Sequence, residues 1–153
     1  MKEDPVLNEL PVCTMLAGFK KANRHALSTY GEFLVFKTDE IIIREKEEQN
    51  CLYFVVSGVV HAVHKVKKGA TPLGAIKEGE WFGEINIFDP SLSSAMVVAR
   101  TESHVWRISR PKLEEFLNSN PSLGCQLLLS IAEVLARRTR KLVNKVNAIW
   151  ELS

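Results

Sequence analysis

The chain has 153 residues, 46% hydrophobic and 25% charged, with a formal net charge of +2, a composition that allows one core of domain size and a few peripheral helices. So small a charge does not by itself imply a polyanionic partner, which asks for a dense basic face. No segment approaches the roughly 20 apolar residues that span a bilayer, and Met1-Lys2-Glu3-Asp4-Pro5 opens no signal-peptide run, so a cytoplasmic protein without membrane association is expected.

Residues 10–30 are predicted to form two short helices. Val12, Met15, Leu16 and Phe19 share one helical face, and a second segment runs through His25, Leu27 and Tyr30. From Gly31 the pattern changes to short runs rich in β-branched and aromatic residues, at 33–36, 41–43, 52–56, 59–66, 73–76, 95–99 and 105–108. Turn signals at Thr38-Asp39-Glu40, Ser57-Gly58, Lys68-Gly69 and Glu78-Gly79 punctuate them, as in an antiparallel β-roll or barrel of seven or eight strands over 31–108. Ser109-Arg110-Pro111 then offers a capping hydroxyl and a first-turn proline, and Leu113, Phe116 and Leu117 give that helix an apolar face. Asn120-Pro121-Ser122 starts a longer helix by the same device, the two filling 110–153. On the longer one Leu128, Leu135, Leu142 and Ile149 recur seven apart with Ile131, Val134 and Val146 beside them, a seam suited to a homodimer through about residues 126–150. The whole of 1–153 reads as one domain, mostly β with flanking helices: an antiparallel β-roll (double-stranded jelly-roll) with N-terminal helices and a C-terminal helix pair.

Two further stretches carry the functional reading: Gly79-Glu80-Trp81-Phe82-Gly83-Glu84-Ile85 and Ser93-Ser94-Ala95-Met96-Val97-Val98-Ala99. With the hairpin Leu52-Tyr53-Phe54-Val55-Val56-Ser57-Gly58-Val59-Val60, they resemble in order and spacing the cyclic-nucleotide-binding domains of the catabolite-activator, protein-kinase-regulatory-subunit and cyclic-nucleotide-gated-channel superfamily, over about Leu16 to Arg138. The resemblance implies a short phosphate-cassette helix through Ile85-Asn86-Ile87-Phe88. Gly83 would permit close backbone approach and Glu84 would accept a hydrogen bond from a ribose 2′-hydroxyl. It implies a pocket of Phe82, Gly83, Glu84, Ile85, Ser93, Ser94 and Ala95, with cAMP or cGMP as its ligand.

The resemblance also implies an arginine just before the small hydroxylated residue and the alanine, and that position is Ser93, nine residues after Glu84. A serine neither offsets a phosphate's charge nor offers a bidentate fork, so weak or absent cAMP and cGMP binding is expected. Arg100 lies seven residues beyond Ser93, on the opposite face of an unbroken strand. Three readings stay open: a different, less anionic effector, a cyclic nucleotide held poorly, or an empty pocket in a protein-interaction module.

His61 and His64 are three apart and so on opposite strand faces, unlike the pair two apart of a cupin-type metal-binding protein; no metal is expected. His25 and His104 read as surface or capping residues. No motif pairs a nucleophile with a base, so catalysis is not expected. Cys13, Cys51 and Cys125 lack any C-x-x-C pairing and predict reduced thiols, Cys51 as a small core residue. Arg137, Arg138, Arg140, Lys141 and Lys145 read as a solvated face beside the seam, leaving the pocket without a positive side chain. Trp106 is expected in the core or the pocket wall, while Leu135, Leu142 and Trp150 are candidates for a pocket lid or a dimer contact, with simple packing as the alternative for Trp150. A helix-turn-helix of the activator type would follow the long helix, where this sequence ends, so specific DNA reading is not expected.

Overall fold

The computed structural model describes residues 8–152. Its strands are β1 (Glu32–Phe36), β2 (Ile41–Ile43), β3 (Cys51–Ser57), β4 (Val59–Val66), β5 (Gly69–Lys77), β6 (Trp81–Phe82), β7 (Met96–Ala99) and β8 (Ser103–Ser109). They form two four-stranded sheets, ordered β1-β8-β3-β6 and β2-β7-β4-β5, antiparallel throughout. The helices are α1 (Lys21–Ser28), α2 (Glu84–Phe88), α3 (Arg110–Ser119) and α4 (Pro121–Glu151). The β-roll expected from the sequence is present, with helices before it, inside it and after it.

Strand β3 shows why its apolar run is continuous rather than alternating: it is covered on both faces. Leu52, Phe54 and Val56 join a helix-side core with Leu16, Phe19, Trp106, Phe116, Leu127 and Ile131. Tyr53 and Val55 join a second core inside the roll, with Ile43, Val60, Phe82, Val97 and Val105. One sheet therefore separates two apolar layers, and Trp106 is fully buried, as expected. Phe82 lies opposite Tyr53 in the ladder, and the two rings stack with centroids 4.8 Å apart.

At the N-terminal end the expected first helix is only a 3-10 turn, Thr14–Leu16. Met15, Leu16 and Phe19 are buried, but Val12 is exposed, so the apolar face is realised without a full helix. A segment this short gains little from helical propagation, and Arg24 fixes its path by donating to the carbonyls of Leu10 (3.0 Å) and Phe19 (2.9 Å). The pairing of β4 with β5 shifts between Ala62 and Val63, where Leu73 of β5 is the unpaired residue, while β4 pairs with β7 without a break from Val60 to Val63. His61 and His64 each have their own partner: His61 Nδ1 accepts from Arg100 Nε at 3.3 Å, and His64 Nδ1 lies 2.5 Å from Glu45.

After the roll, Ser109 Oγ accepts from the Lys112 amide at 3.5 Å and caps α3. Asn120 does not cap α4 in the same way. Its side-chain amide donates back to the Phe116 carbonyl at 3.2 Å and closes α3. Helix α4 has 31 residues and so runs about 46 Å at 1.5 Å per residue. Gly124 lets it meet α3 closely, since a Cβ there would stand 2.8 Å from Leu117 Cδ2. Gly124, Leu127 and Ile131 are buried against the body, whereas every residue from Thr139 to Trp150 is exposed. The expected heptad seam therefore divides. Leu135 packs partly into the chain's own helix-side core, while Leu128, Leu142, Val146 and Ile149 face outward.

Candidate functional site

The site grows from the turn between β6 and α2. Gly83 adopts φ of 82°, the left-handed region, and a Cβ on it would stand 2.5 Å from Gln49 Nε2 and 2.6 Å from the Cys51 carbonyl oxygen. Only glycine suits both conditions. Gln49 is held there by donating to that carbonyl at 2.7 Å. The turn delivers Glu84 into the first turn of α2 with its side chain only 8% exposed. Two contacts fix the rest of α2: Asn86 Nδ2 donates to the Ser91 carbonyl at 2.7 Å, and Arg110, at the start of α3, donates to the Ile87 carbonyl at 2.6 Å.

The segment 93–95 is stitched in place separately. The Lys46 amide donates to the Ser93 carbonyl at 2.7 Å, and the Ser93 amide donates to the Glu47 carbonyl at 2.9 Å. Ser93 is buried, and Val97 of the following strand continues into the roll's inner layer.

Between the two segments lies a cavity of about 140 Å³. Phe82, Gly83, Glu84, Ile85, Ser93, Ser94 and Ala95, the full set named from the sequence, line it together, backed by Ile43, Ala62, Ile76 and Val97 of the roll. Two larger depressions, of about 430 and 530 Å³, lie beside α1 and between residues 48–50 and 90–92, and neither collects any of those residues.

One lining residue was not anticipated. Arg138, from α4, reaches into the cavity, where its guanidinium forms an ion pair with Glu84 and donates to the Trp81 carbonyl at 2.5 Å. A carboxylate buried as Glu84 is needs a partner, and among the described residues Arg138 supplies it. The expectation of a pocket without a positive side chain is therefore corrected. Arg138 is not part of a uniformly solvated basic face, because it lies seven residues beyond buried Ile131, on the stripe that faces the roll. That continuation of an apolar stripe into an arginine was the signal available in the sequence.

Leu135, Leu142 and Trp150, the candidates for a lid or a dimer contact, do not line the cavity, and the residue that α4 contributes to it is Arg138. Leu142 is 63% exposed and Trp150 74% exposed. Arg100 also lies elsewhere, toward His61 and Asp39. Burial pushes the thiols of Cys13 and Cys51 up from their ordinary value, which keeps both protonated and poorly nucleophilic. Among the described lining residues the polar chemistry is one carboxylate, one guanidinium, the Asn86 amide and serine hydroxyls on an apolar wall, an arrangement suited to holding a ligand.

Residues 33–120, more than half of the chain, match the family described as the cyclic nucleotide-binding domain. The chain is 32% identical over 108 residues to the cAMP-activated global transcriptional regulator CRP of Haemophilus influenzae, a match covering 67% of this chain and 47% of that protein. The chain spans about half the length of the curated relatives it matches. Among solved structures it is similar to the catabolite activator protein of Thermus thermophilus, with a TM-score of 0.78 at 21% identity over 88% of this chain and 62% of that one. It is likewise similar to a cyclic nucleotide-binding domain from Methylobacillus flagellatus, with a TM-score of 0.77 at 22% identity over 84% of this chain and 72% of that one. The β-roll with its Gly83-Glu84 turn and the sequence match agree: this chain belongs to the cyclic nucleotide-binding domain family.

Proposed function

We propose that the chain is a regulatory sensor module whose single effector pocket lies between Phe82–Ile85 and Ser93–Ala95, and that it binds without catalysis. The observation that carries this reading is the meeting, in one cavity, of Glu84 and Ser93–Ala95 with an arginine from the C-terminal helix. A ligand engaging Glu84 would act directly on α4, and a helix that responds to ligand is an output. The cAMP-activated regulator among its relatives supports a cyclic nucleotide as the ligand class. In this chain the affinity would be low, because position 93 supplies no cation and Glu84 already has an internal partner. The exposed apolar residues of α4 support a homodimer, or a protein partner, as the recipient of the signal. A cytoplasmic setting is supported by three free cysteines, and among the described residues no helix is long and apolar enough to cross a membrane.

Isothermal titration with cAMP and cGMP tests the reading. Loss of one partner of a buried charge pair costs about 3–5 kcal/mol, so the unaltered chain should bind a thousandfold or so more weakly than a micromolar site. Ser93→Arg should recover at least tenfold. Micromolar binding by the unaltered chain would reject the charge argument, and no gain in S93R would show that the pocket does not orient a cyclic phosphate.

A second reading, a ligand-free interaction module, is favoured by the cavity's size. Its volume of about 140 Å³ is below the roughly 300 Å³ at which small-molecule sites begin. Absence of binding heat in both proteins for both nucleotides would select it.

A further inference from the structure

We propose that Arg138 is an internal occupant of the pocket and a latch on α4: it holds the helix to the roll by taking the acceptors that an effector would use. The ligand arm of this inference rests on the effector reading above, whereas the latch itself does not. The geometry points to it in three ways. Arg138 sits where α4 changes character, seven residues beyond buried Ile131 and one before the fully exposed stretch that begins at Thr139. Its guanidinium bonds both Glu84 and the Trp81 carbonyl, groups on either side of the rigid Gly83 turn. Among the described residues lining the cavity, no other carries a positive charge.

Arg110 makes the matching contact at the other end of α2, on the Ile87 carbonyl. The five-residue α2 is thus clamped by two arginines, one from each C-terminal helix. The clamp at Ile87 leaves the carboxylate free, but the clamp at Glu84 does not. Arg138 bonds one oxygen of the buried carboxylate and fills part of a cavity of only about 140 Å³, so a ligand reaching Glu84 meets the guanidinium, and occupancy of the pocket and docking of α4 at Arg138 oppose each other. Linkage then makes the effect reciprocal: an effector that evicts Arg138 loosens the helix, and a partner that pulls the helix away opens the pocket by the same factor.

Hydrogen exchange of the full chain, read by mass spectrometry without ligand, tests the latch. Arg138→Gln, Glu84→Gln and the double variant should each speed exchange of amides in 84–88 and 131–138 by about tenfold, the double no more than either single change, as expected for two halves of one contact. Arg138→Lys, which keeps the cation but loses the planar fork, should fall between and serves as the measured variant if Gln leaves Glu84 too poorly paired to fold. Titration of Arg138→Gln or Arg138→Lys with cAMP should then show tighter binding than the unaltered chain, by up to about tenfold. Unchanged exchange in the variants overturns the latch. Faster exchange with weaker cAMP binding overturns the competition and makes Arg138 a counter-ion of the ligand. Faster exchange with no cAMP or cGMP binding in any protein supports the latch while the effector reading fails.

Discussion

The two ends of α4 carry apolar residues at similar helical spacing but differ in burial. The first half places Gly124, Leu127 and Ile131 against α3 and the helix-side core, all buried. The second half presents Leu142, Val146 and Ile149 at exposures of 63%, 43% and 67%. Helical periodicity states which face is apolar; it does not state what covers it. The first half finds its cover within the chain, and Arg138 marks the point at which that cover ends. The helix is thus anchored at one end by apolar burial and, at the boundary, by a polar contact with the pocket.

The sharpest way to break this contrast is to weaken the anchored end. Leu127 is 1% exposed in the core that joins Leu16, Phe54, Phe116 and Ile131. Leu127→Ala should cost about 2–5 kcal/mol by the usual penalty for emptying a core site, read as a lower denaturation midpoint. A loss below about 1 kcal/mol would mean that α4 is not docked in solution. Gly124→Ala acts on the same junction from the opposite direction, by crowding. Its Cβ would lie 2.8 Å from Leu117 Cδ2 and 3.1 Å from Leu117 Cα, the second a backbone contact that a rotamer change cannot relieve. Overpacking of this kind costs about 1–3 kcal/mol, against which the gain in helix propensity of up to about 1 kcal/mol is the smaller effect. Unchanged or increased stability would show that α3 and α4 stand farther apart.

Much of this arrangement could be read before the structure, and the exceptions have physical causes. The strands were visible because β-branched runs alternate with glycine and acidic turns, and the α3 start was visible because Ser109 and Pro111 are local signals. The two-residue β6 was hidden within the cassette motif, since Trp81 and Phe82 are too few to show a period. Asn120 looked like a cap for the helix that follows, but its side chain reached back to the helix that precedes it, a choice that local sequence does not specify. The pocket's residues were legible through the family motif, including the serine in place of arginine. Arg138 was missed because it lies 54 residues beyond Glu84 and its neighbours 137, 140, 141 and 145 are basic as well. Charge composition grouped them as one face, while the helical phase, counted from Leu127 and Ile131, sets Arg138 apart from Arg137 and Arg140; Lys145 shares its phase but lies in the exposed stretch beyond Thr139.

The smallest effect on folding is expected at the projecting end, and it is also the most discriminating. Leu135→Glu is an ambiguous probe of a dimer seam, because Leu135 packs partly into the chain's own core and a charge there would damage the fold as well as any interface. Leu142, one heptad further on and 63% exposed, has no such second role. If the seam is where two copies meet, Leu142→Glu places like charges across it and should halve the mass measured by sedimentation. At a concentration where both proteins are monomeric, its folding stability should stay within about 0.5 kcal/mol of the unaltered chain, as for a surface site. A variant that remains dimeric would move the interface off this helix. A monomer destabilised well beyond that range would show instead that the projecting end folds back onto the roll in solution, and the contrast between the two halves of α4 would disappear.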